Sequence, residues 1–192
     1  MATNSLNREL EAELKKTLEG EVRFDSLSRV LYSTDASNYQ IEPVGVVIPR
    51  TVEDVIKTVE TCTAYGVPIL PRGGGTSLAG QAVGHAVVID YSKYLNNIIE
   101  VDKEARIVCT EPGIYIEQLN TQLRQHGLMF GPDPSTARVA TAGGAVGNNS
   151  TGAHSIIYGM AGDNVIAARV LVNGTDHVDL HAEVGQLQFD LS

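Results

Sequence analysis

Three consecutive glycines, Gly73, Gly74 and Gly75, stand between a Pro71-Arg72 entrance and a Thr76-Ser77 exit. Without any Cβ, such a run can turn successive backbone N–H groups toward one point and adopt positive φ at no steric cost. That is the chemistry of a main-chain nest that holds an anion, and the Thr76 and Ser77 hydroxyls add two side-chain donors. A merely flexible turn is the plain alternative. The buried strand expected just before it, the proline at its entrance and the arginine beside the glycines favour the anion. A second glycine-rich stretch runs from Gly131-Pro132-Asp133-Pro134-Ser135 to Thr141-Ala-Gly143-Gly144-Ala-Val-Gly147-Asn148-Asn149-Ser150-Thr-Gly152-Ala-His-Ser155. Its glycines would let a bulky, flat ligand lie close to backbone, and Asn148, Asn149, Ser150 and Ser155 offer neutral donors and acceptors. Tight packing of a short helix would call for the same small residues.

Charge connects the two stretches. Neither 61–89 nor 134–162 contains an aspartate or glutamate, although 23 acidic residues in 192 would put about 3.5 in each span. An anionic ligand crossing both would account for this, because an unpaired carboxylate beside a phosphate is repelled. The apolar strands within each span explain part of it. No lysine follows the glycines as in a Walker A loop, and neither stretch has the Gly-x-Gly-x-x-Gly pattern with an acidic ribose ligand downstream. A pyrophosphate-bearing cofactor held by some other fold is left.

The elements that must position these loops are legible from periodicity. Leu6, Leu10, Leu14 and Leu18 recur every fourth residue among charges and predict a surface helix. A turn-rich connection covers Arg29–Tyr39. A strand over Val44–Ile48, a helix capped by Thr51 and stopped at Gly66, and a strand over Val67–Leu70 predict a small parallel unit. Beyond the triple glycine the pattern changes to short strands at Ala86–Asp90, Asn97–Asp102 and Arg106–Thr110, the last two forming a hairpin. A helix over Ile114–His126 ends at Gly127. A strand over Asn164–Val172 turns at Asn173-Gly174 into Val178–His181.

At this point the motifs, taken together, carry a resemblance. Pro71-Arg72-Gly73-Gly74-Gly75-Thr76-Ser77-Leu-Ala-Gly80 is similar to the pyrophosphate loop of FAD-binding domains of the p-cresol methylhydroxylase and vanillyl-alcohol oxidase type. Gly131-Pro-Asp-Pro-Ser135, Gly143-Gly144, Asn148-Asn-Ser-Thr-Gly152 and Tyr158-Gly-Met160 resemble that family's second flavin-binding stretch, most of all in its glycolate oxidase, D-lactate dehydrogenase and D-2-hydroxyglutarate dehydrogenase branch. The resemblance spans about Tyr32 to His181, with the motifs in order. It implies an α+β fold of two subdomains, about 31–85 and 86–192, preceded by a helical segment over 1–30. By the same resemblance, Arg72, Gly73, Gly74, Gly75, Thr76 and Ser77 would wrap the pyrophosphate, chiefly through backbone N–H groups. Pro132, Gly143, Gly144, Asn148, Ser150 and Gly152 would line the ribityl chain and isoalloxazine, and Val165 would meet the adenine end through its backbone. Thr76-Ser77 stands where covalent members often carry a nearby His or Cys, so noncovalent FAD is expected.

The activity implied is oxidation of a small 2-hydroxy acid by hydride transfer to flavin N5. Relatives place the acid–base groups in a second, substrate-binding domain that this chain lacks, so no catalytic base is named. The chain would be an excised cofactor domain or one piece of a split enzyme, inactive alone; the electron acceptor is left open. A reductase of the UDP-N-acetylenolpyruvoylglucosamine type and a noncatalytic flavin-binding module are the alternatives. A formal net charge of −9 argues against nucleic acid and polybasic membrane anchoring. No apolar run approaches the length of a membrane span, and the polar N-terminus lacks a secretory segment, so a cytoplasmic location, free or at a membrane surface, is expected. Two cysteines, Cys62 and Cys109, suit ordinary buried thiols and no metal site. Of the five histidines His154 lies within a flavin segment; the others fall at strand or helix ends.

Overall fold

A computed structural model describes residues 2–172 and 176–181. The chain opens with α1 (Ala2–Thr17), which turns Leu10 and Leu14 into the core at zero exposure, as the leucine spacing requires. A short strand not foreseen from the pattern, β1 (Glu21–Arg23), and helix α2 (Ser26–Leu31) follow. Then come β2 (Gly45–Ile48), α3 (Val52–Ala64) and β3 (Ile69–Arg72). Helix α3 starts where Thr51 predicts: its hydroxyl accepts from Asp54 N–H at 3.1 Å. It ends in a left-handed Gly66 (φ +65°), with Val67 N–H bonded to Cys62 O at 2.9 Å, a Schellman closure.

The first sheet has the order β1-β2-β4-β3, where β4 is Val87–Asp90. β1 runs antiparallel to β2, and β4 lies parallel to both β2 and β3, with Val88 opposite Val46 and Leu70. The expected strand–helix–strand unit is therefore parallel, but its two strands are separated by β4, which the change of pattern had grouped with the antiparallel part. Every residue of β4 is buried, as befits a central parallel strand covered on both faces. The division expected near residue 85 thus falls between strands that are hydrogen-bonded neighbours. Alternate residues serve two cores: Val47 and Val87 pack with Leu10, Leu14, Val44 and Cys62, and Val46, Ile48 and Val88 with Tyr32, Leu70 and Tyr94.

The N-terminal strand is anchored by charge. Glu21 accepts from the Lys93 ammonium, from Tyr94 Oη at 2.6 Å and from Arg23 Nε at 2.9 Å. The Lys93 and Tyr94 hydrogen bonds, helped by Arg23, hold its carboxyl at about 2 instead of 4.5. A carboxyl depressed in the folded state takes its proton more readily when unfolded. Its stabilising contribution is therefore complete above pH 4.5 and is lost as the pH falls toward 2. In acid denaturation followed by circular dichroism, Glu21→Gln is expected to flatten the loss of stability over that window; an unchanged slope would show that the cluster contributes nothing.

The second half comprises the antiparallel hairpin β5 (Ile98–Asp102) and β6 (Ile107–Thr110), helix α4 (Ile116–Leu123) with a 3-10 turn over Arg124–His126, and two short helices, α5 (Ala142–Gly147) and α6 (Ser155–Tyr158). A last ribbon pairs β7 (Ala167–Val172) with β8 (Asp176–His181) antiparallel. The Asn173-Gly174 turn lies outside the described residues. β7 begins three residues later than the pattern suggested because Gly162–Asn164 form a 3-10 turn. Ile114, Leu119 and Leu123 pack beneath Ile98, Val101 and Val108, while Ile116, Ala140, Ala145 and Ala161 join α4 to α5. A mixed, largely parallel sheet, antiparallel ribbons and covering helices together make an α+β fold. Among the described residues no helix is long and apolar enough to cross a membrane.

Candidate functional site

The triple-glycine turn leaves the end of β3, the strand that flanks β4. Of the three, Gly75 takes a positive φ (+66°) while its neighbours do not, the change of hand found in main-chain nests. Among the described residues none accepts a hydrogen bond from the N–H of Gly73, Gly74, Gly75, Thr76, Ser77 or Leu78. The groups that are engaged lie around them. Gly75 O accepts from Ala36 N–H at 3.0 Å. Ser77 Oγ donates to the Gln81 side-chain oxygen and accepts from Ala79 and Gln81 N–H at 3.3 and 3.2 Å, closing a small turn.

The structure brings the two glycine-rich stretches into contact. A Cβ on Gly74 would stand 1.8 Å from Val139 O. One on Gly73 would meet Thr141 Oγ1 and come within 3.5 Å of Gly144 Cα. Thr141, only 1% exposed, is the hinge of this contact. Its hydroxyl accepts from Gly144 N–H at 3.2 Å and caps α5. Its place before Ala-Gly-Gly is the signal, local to the sequence, that marks the start of this helix.

Much of the second stretch has a local explanation in packing and capping. Gly143 faces Pro112, whose Cβ would be 2.7 Å from an added Cβ, and Gly143 N–H donates to Pro112 O at 2.8 Å. Asn149 adopts a left-handed conformation (φ +46°). Its N–H and that of Ser150 reach back to Val146 O and Ala145 O at 3.0 and 2.8 Å, a Schellman cap built on asparagine. Asn148 Nδ2 turns to Gly144 O at 3.1 Å, and Asn149 Oδ1 accepts from Gly162 N–H at 2.8 Å. Gly152 crosses Pro132, where a Cβ would lie 2.1 Å from the Pro132 carbonyl oxygen, and its own N–H donates to Ser155 Oγ at 3.0 Å. Val165 stands in extended conformation ahead of β7, its N–H bonded to Gly162 O at 3.2 Å.

Acidic groups do approach, though from outside both carboxylate-free spans. Asp35 Oδ2 accepts from Ala82 N–H at 3.3 Å. Burial opposes its charge, but hydrogen bonds from Ser37 and Ala82 and the nearby Arg72 cation hold its carboxyl below the usual range. Asp133 Oδ2 lies 3.5 Å from His154 Nδ1, both side chains being exposed. An open groove of about 680 Å³ passes Asp133, Gly152 and Arg138, and none of its lining residues belongs to the triple-glycine turn. Beside it α6 exposes Ile156, Ile157 and Tyr158. Neither cysteine meets these loops: Cys62 is fully buried and desolvation pushes its thiol up to about 12, whereas Cys109, expected inside, is exposed on β6. Among the described residues no cluster of three His, Cys, Asp or Glu could hold a metal ion.

Residues 43–180 match the FAD binding domain family. This chain is a member of that family. It is 37% identical over 163 residues to D-2-hydroxyglutarate dehydrogenase of Escherichia coli K12, a match covering 83% of this chain and 16% of that protein. It is also 36% identical to the mitochondrial D-lactate dehydrogenase (cytochrome) of Kluyveromyces lactis, over 80% of the chain and 28% of the relative. Glycolate oxidase subunit GlcD of Bacillus subtilis 168 is 35% identical over 81% of the chain and 34% of that protein. The chain therefore spans between about a sixth and a third of the length of these curated relatives. Among solved structures, alkyldihydroxyacetonephosphate synthase superposes with a TM-score of 0.81 at 26% identity, covering 94% of this chain and 36% of that one. The fold alone is shared with 6-hydroxy-D-nicotine oxidase of Arthrobacter nicotinovorans (TM-score 0.74, 22% identity, 85% of this chain and 36% of that one). The FAD-binding domain family expected from the motifs is thus the one to which this chain belongs, and these relatives carry the names of the expected branch.

Proposed function

We propose that this domain binds FAD noncovalently, as the cofactor-carrying part of an oxidoreductase acting on a small 2-hydroxy acid. The observation that carries the reading is the set of unclaimed N–H groups from Gly73 to Leu78, held in a turn that is braced on both sides. A diphosphate would satisfy them without any side-chain charge. Gly73 to Ser77 are the residues proposed to hold it. Gly143, Gly144, Asn148, Ser150, Pro132 and Gly152 would follow the ribityl chain and ring, and Val165 the adenine. When bound, the flavin would supply hydride acceptance at N5 from the substrate's α-carbon, with the protein contributing orientation and exclusion of water. The substrate class rests on the names of the relatives, which are dehydrogenases and oxidases of D-2-hydroxyglutarate, D-lactate and glycolate. No residue of this chain is proposed as the catalytic base.

Titration with FAD, followed by flavin absorbance and thermal shift, is expected to show saturable one-to-one binding and a raised unfolding temperature. FMN, which has a single phosphate and no adenosine, is expected to bind at least about tenfold more weakly, since the diphosphate contacts go unmade. Acid precipitation of the loaded chain should release all flavin to the supernatant, as Thr76-Ser77 offers no His or Cys and Cys62 is buried. Equal affinity for FMN, or flavin retained in the pellet, would overturn the diphosphate placement or the noncovalent reading respectively.

A further inference from the structure

Arg72 stands at the mouth of the triple-glycine turn, yet its guanidinium is directed backward. Nη1 donates to Ala82 O at 2.7 Å and lies 3.5 Å from Tyr32 O, and Nη2 donates to Thr34 O at 2.8 Å. Its central carbon sits 5.3 Å from the centroid of the Tyr32 ring. The Tyr32 hydroxyl is in turn fixed to Asp90 Oδ2 at 2.6 Å, at the end of the central strand. The same segment, residues 32–36, grips the turn at two further points. Ala36 N–H donates to Gly75 O at 3.0 Å, and Asp35 takes Ala82 N–H at 3.3 Å. Gly75 lies against the guanidinium, since a Cβ there would be 2.5 Å from Nη2. The acceptors are backbone carbonyls reached by Nη1 and Nη2, so the guanidinium end is tied to protein beneath the turn.

We infer that Arg72 is a positioning residue: it fastens the 32–36 strap to both ends of the glycine turn and thereby aims the Gly73–Leu78 N–H groups, without itself donating to phosphate. This rests on the diphosphate reading of the turn. Only a planar fork with several fixed donors can span carbonyls from residues 32, 34 and 82 at once; a lysine ammonium is a point charge on a flexible stem. Arg72→Lys and Arg72→Gln should therefore fail alike. A phosphate ligand would behave differently, because lysine would keep most of the attraction.

The experiment compares wild type, Arg72→Lys and Arg72→Gln for FAD and riboflavin affinity by fluorescence quenching. Both variants are expected to lose about 30-fold in FAD affinity, the lysine variant about as much as the glutamine one, with riboflavin affinity unmoved. Near-wild-type affinity in the lysine variant would overturn the inference. Should the variants fold poorly, the wild-type chain still decides. The Arg72 Nη signals should be protected from exchange without ligand and stay in place at saturating ADP; a large shift on ADP binding would make Arg72 a direct ligand. If wild type binds neither FAD nor ADP, the diphosphate reading itself fails. Hydrogen exchange at Ala36 and Ala82, accelerated in the variants alone, would then still report the brace separately.

Discussion

Gly74→Ala is expected to abolish FAD uptake and to destabilise the chain by at least about 3 kcal/mol, although it adds a single methyl group. The added carbon would be placed 1.8 Å from the carbonyl oxygen of Val139. That oxygen is backbone and cannot rotate aside. The 136–140 turn that carries it is tied down through Val139 and Ala140 N–H to Thr136 O and through Ile116 N–H to Ala140 O. To relieve the overlap, the triple-glycine turn must move off the segment leading into α5, which separates the two halves of the proposed site. Gly73→Ala is expected to be milder, because it meets the Thr141 hydroxyl, which can turn away at the cost of the α5 cap. Thermal unfolding with and without FAD checks both. A Gly74→Ala chain with unchanged stability and FAD affinity would mean that the two stretches are not in contact.

Asp54→Ala should lower stability by about 3 kcal/mol, a fall in Tm of about 6–12 °C, while leaving the chemistry of the glycine turn untouched. The sequence places Asp54 three residues after the Thr51 cap, where the capping-box pattern would return its carboxylate to the cap's own N–H. The carboxylate instead reaches past it. Oδ2 accepts from Arg50 N–H and Oδ1 from Glu19 N–H, both at 2.9 Å, and the residue is 2% exposed. One side chain thus joins the end of β2, the start of α3 and the link from α1 into β1. Removing it strands two backbone donors at a close crossing, where Gly20 already lies against Ile48 O. Differential scanning calorimetry is the measurement, and a Tm within about 2 °C of wild type would show that water replaces the carboxylate freely. Apparent FAD affinity at a temperature well below the transition is expected to be unchanged, which separates this effect from that of Gly74.

Local rules were readable directly. The leucine spacing of α1, the Thr51 cap, the glycine stop at Gly66, the hairpin expected over 97–110 and the helix expected over 114–126, which begins two residues later at Ile116, each rest on residues within a turn or two of one another, so their types largely determine them. The glycine runs and their family resemblance were equally local, and they were enough to point to an FAD-binding domain. What those residues could not disclose is which strand lies beside which. β4 reads like any short apolar run, and its place between β2 and β3 depends on both of its faces being covered by distant segments. Likewise Asn148, Asn149 and Gly152 have the right types for ligand contacts, and only folding shows that much of their hydrogen bonding closes a helix and a chain crossing. Arg72 illustrates the division best. Its type and its neighbourhood to Gly73 follow from the chain, but the direction of its guanidinium is set by carbonyls 10 to 40 residues away. Hydrogen-bond geometry between remote segments is a property of packing, and it decides there that the cation beside the proposed anion site is turned toward backbone carbonyls.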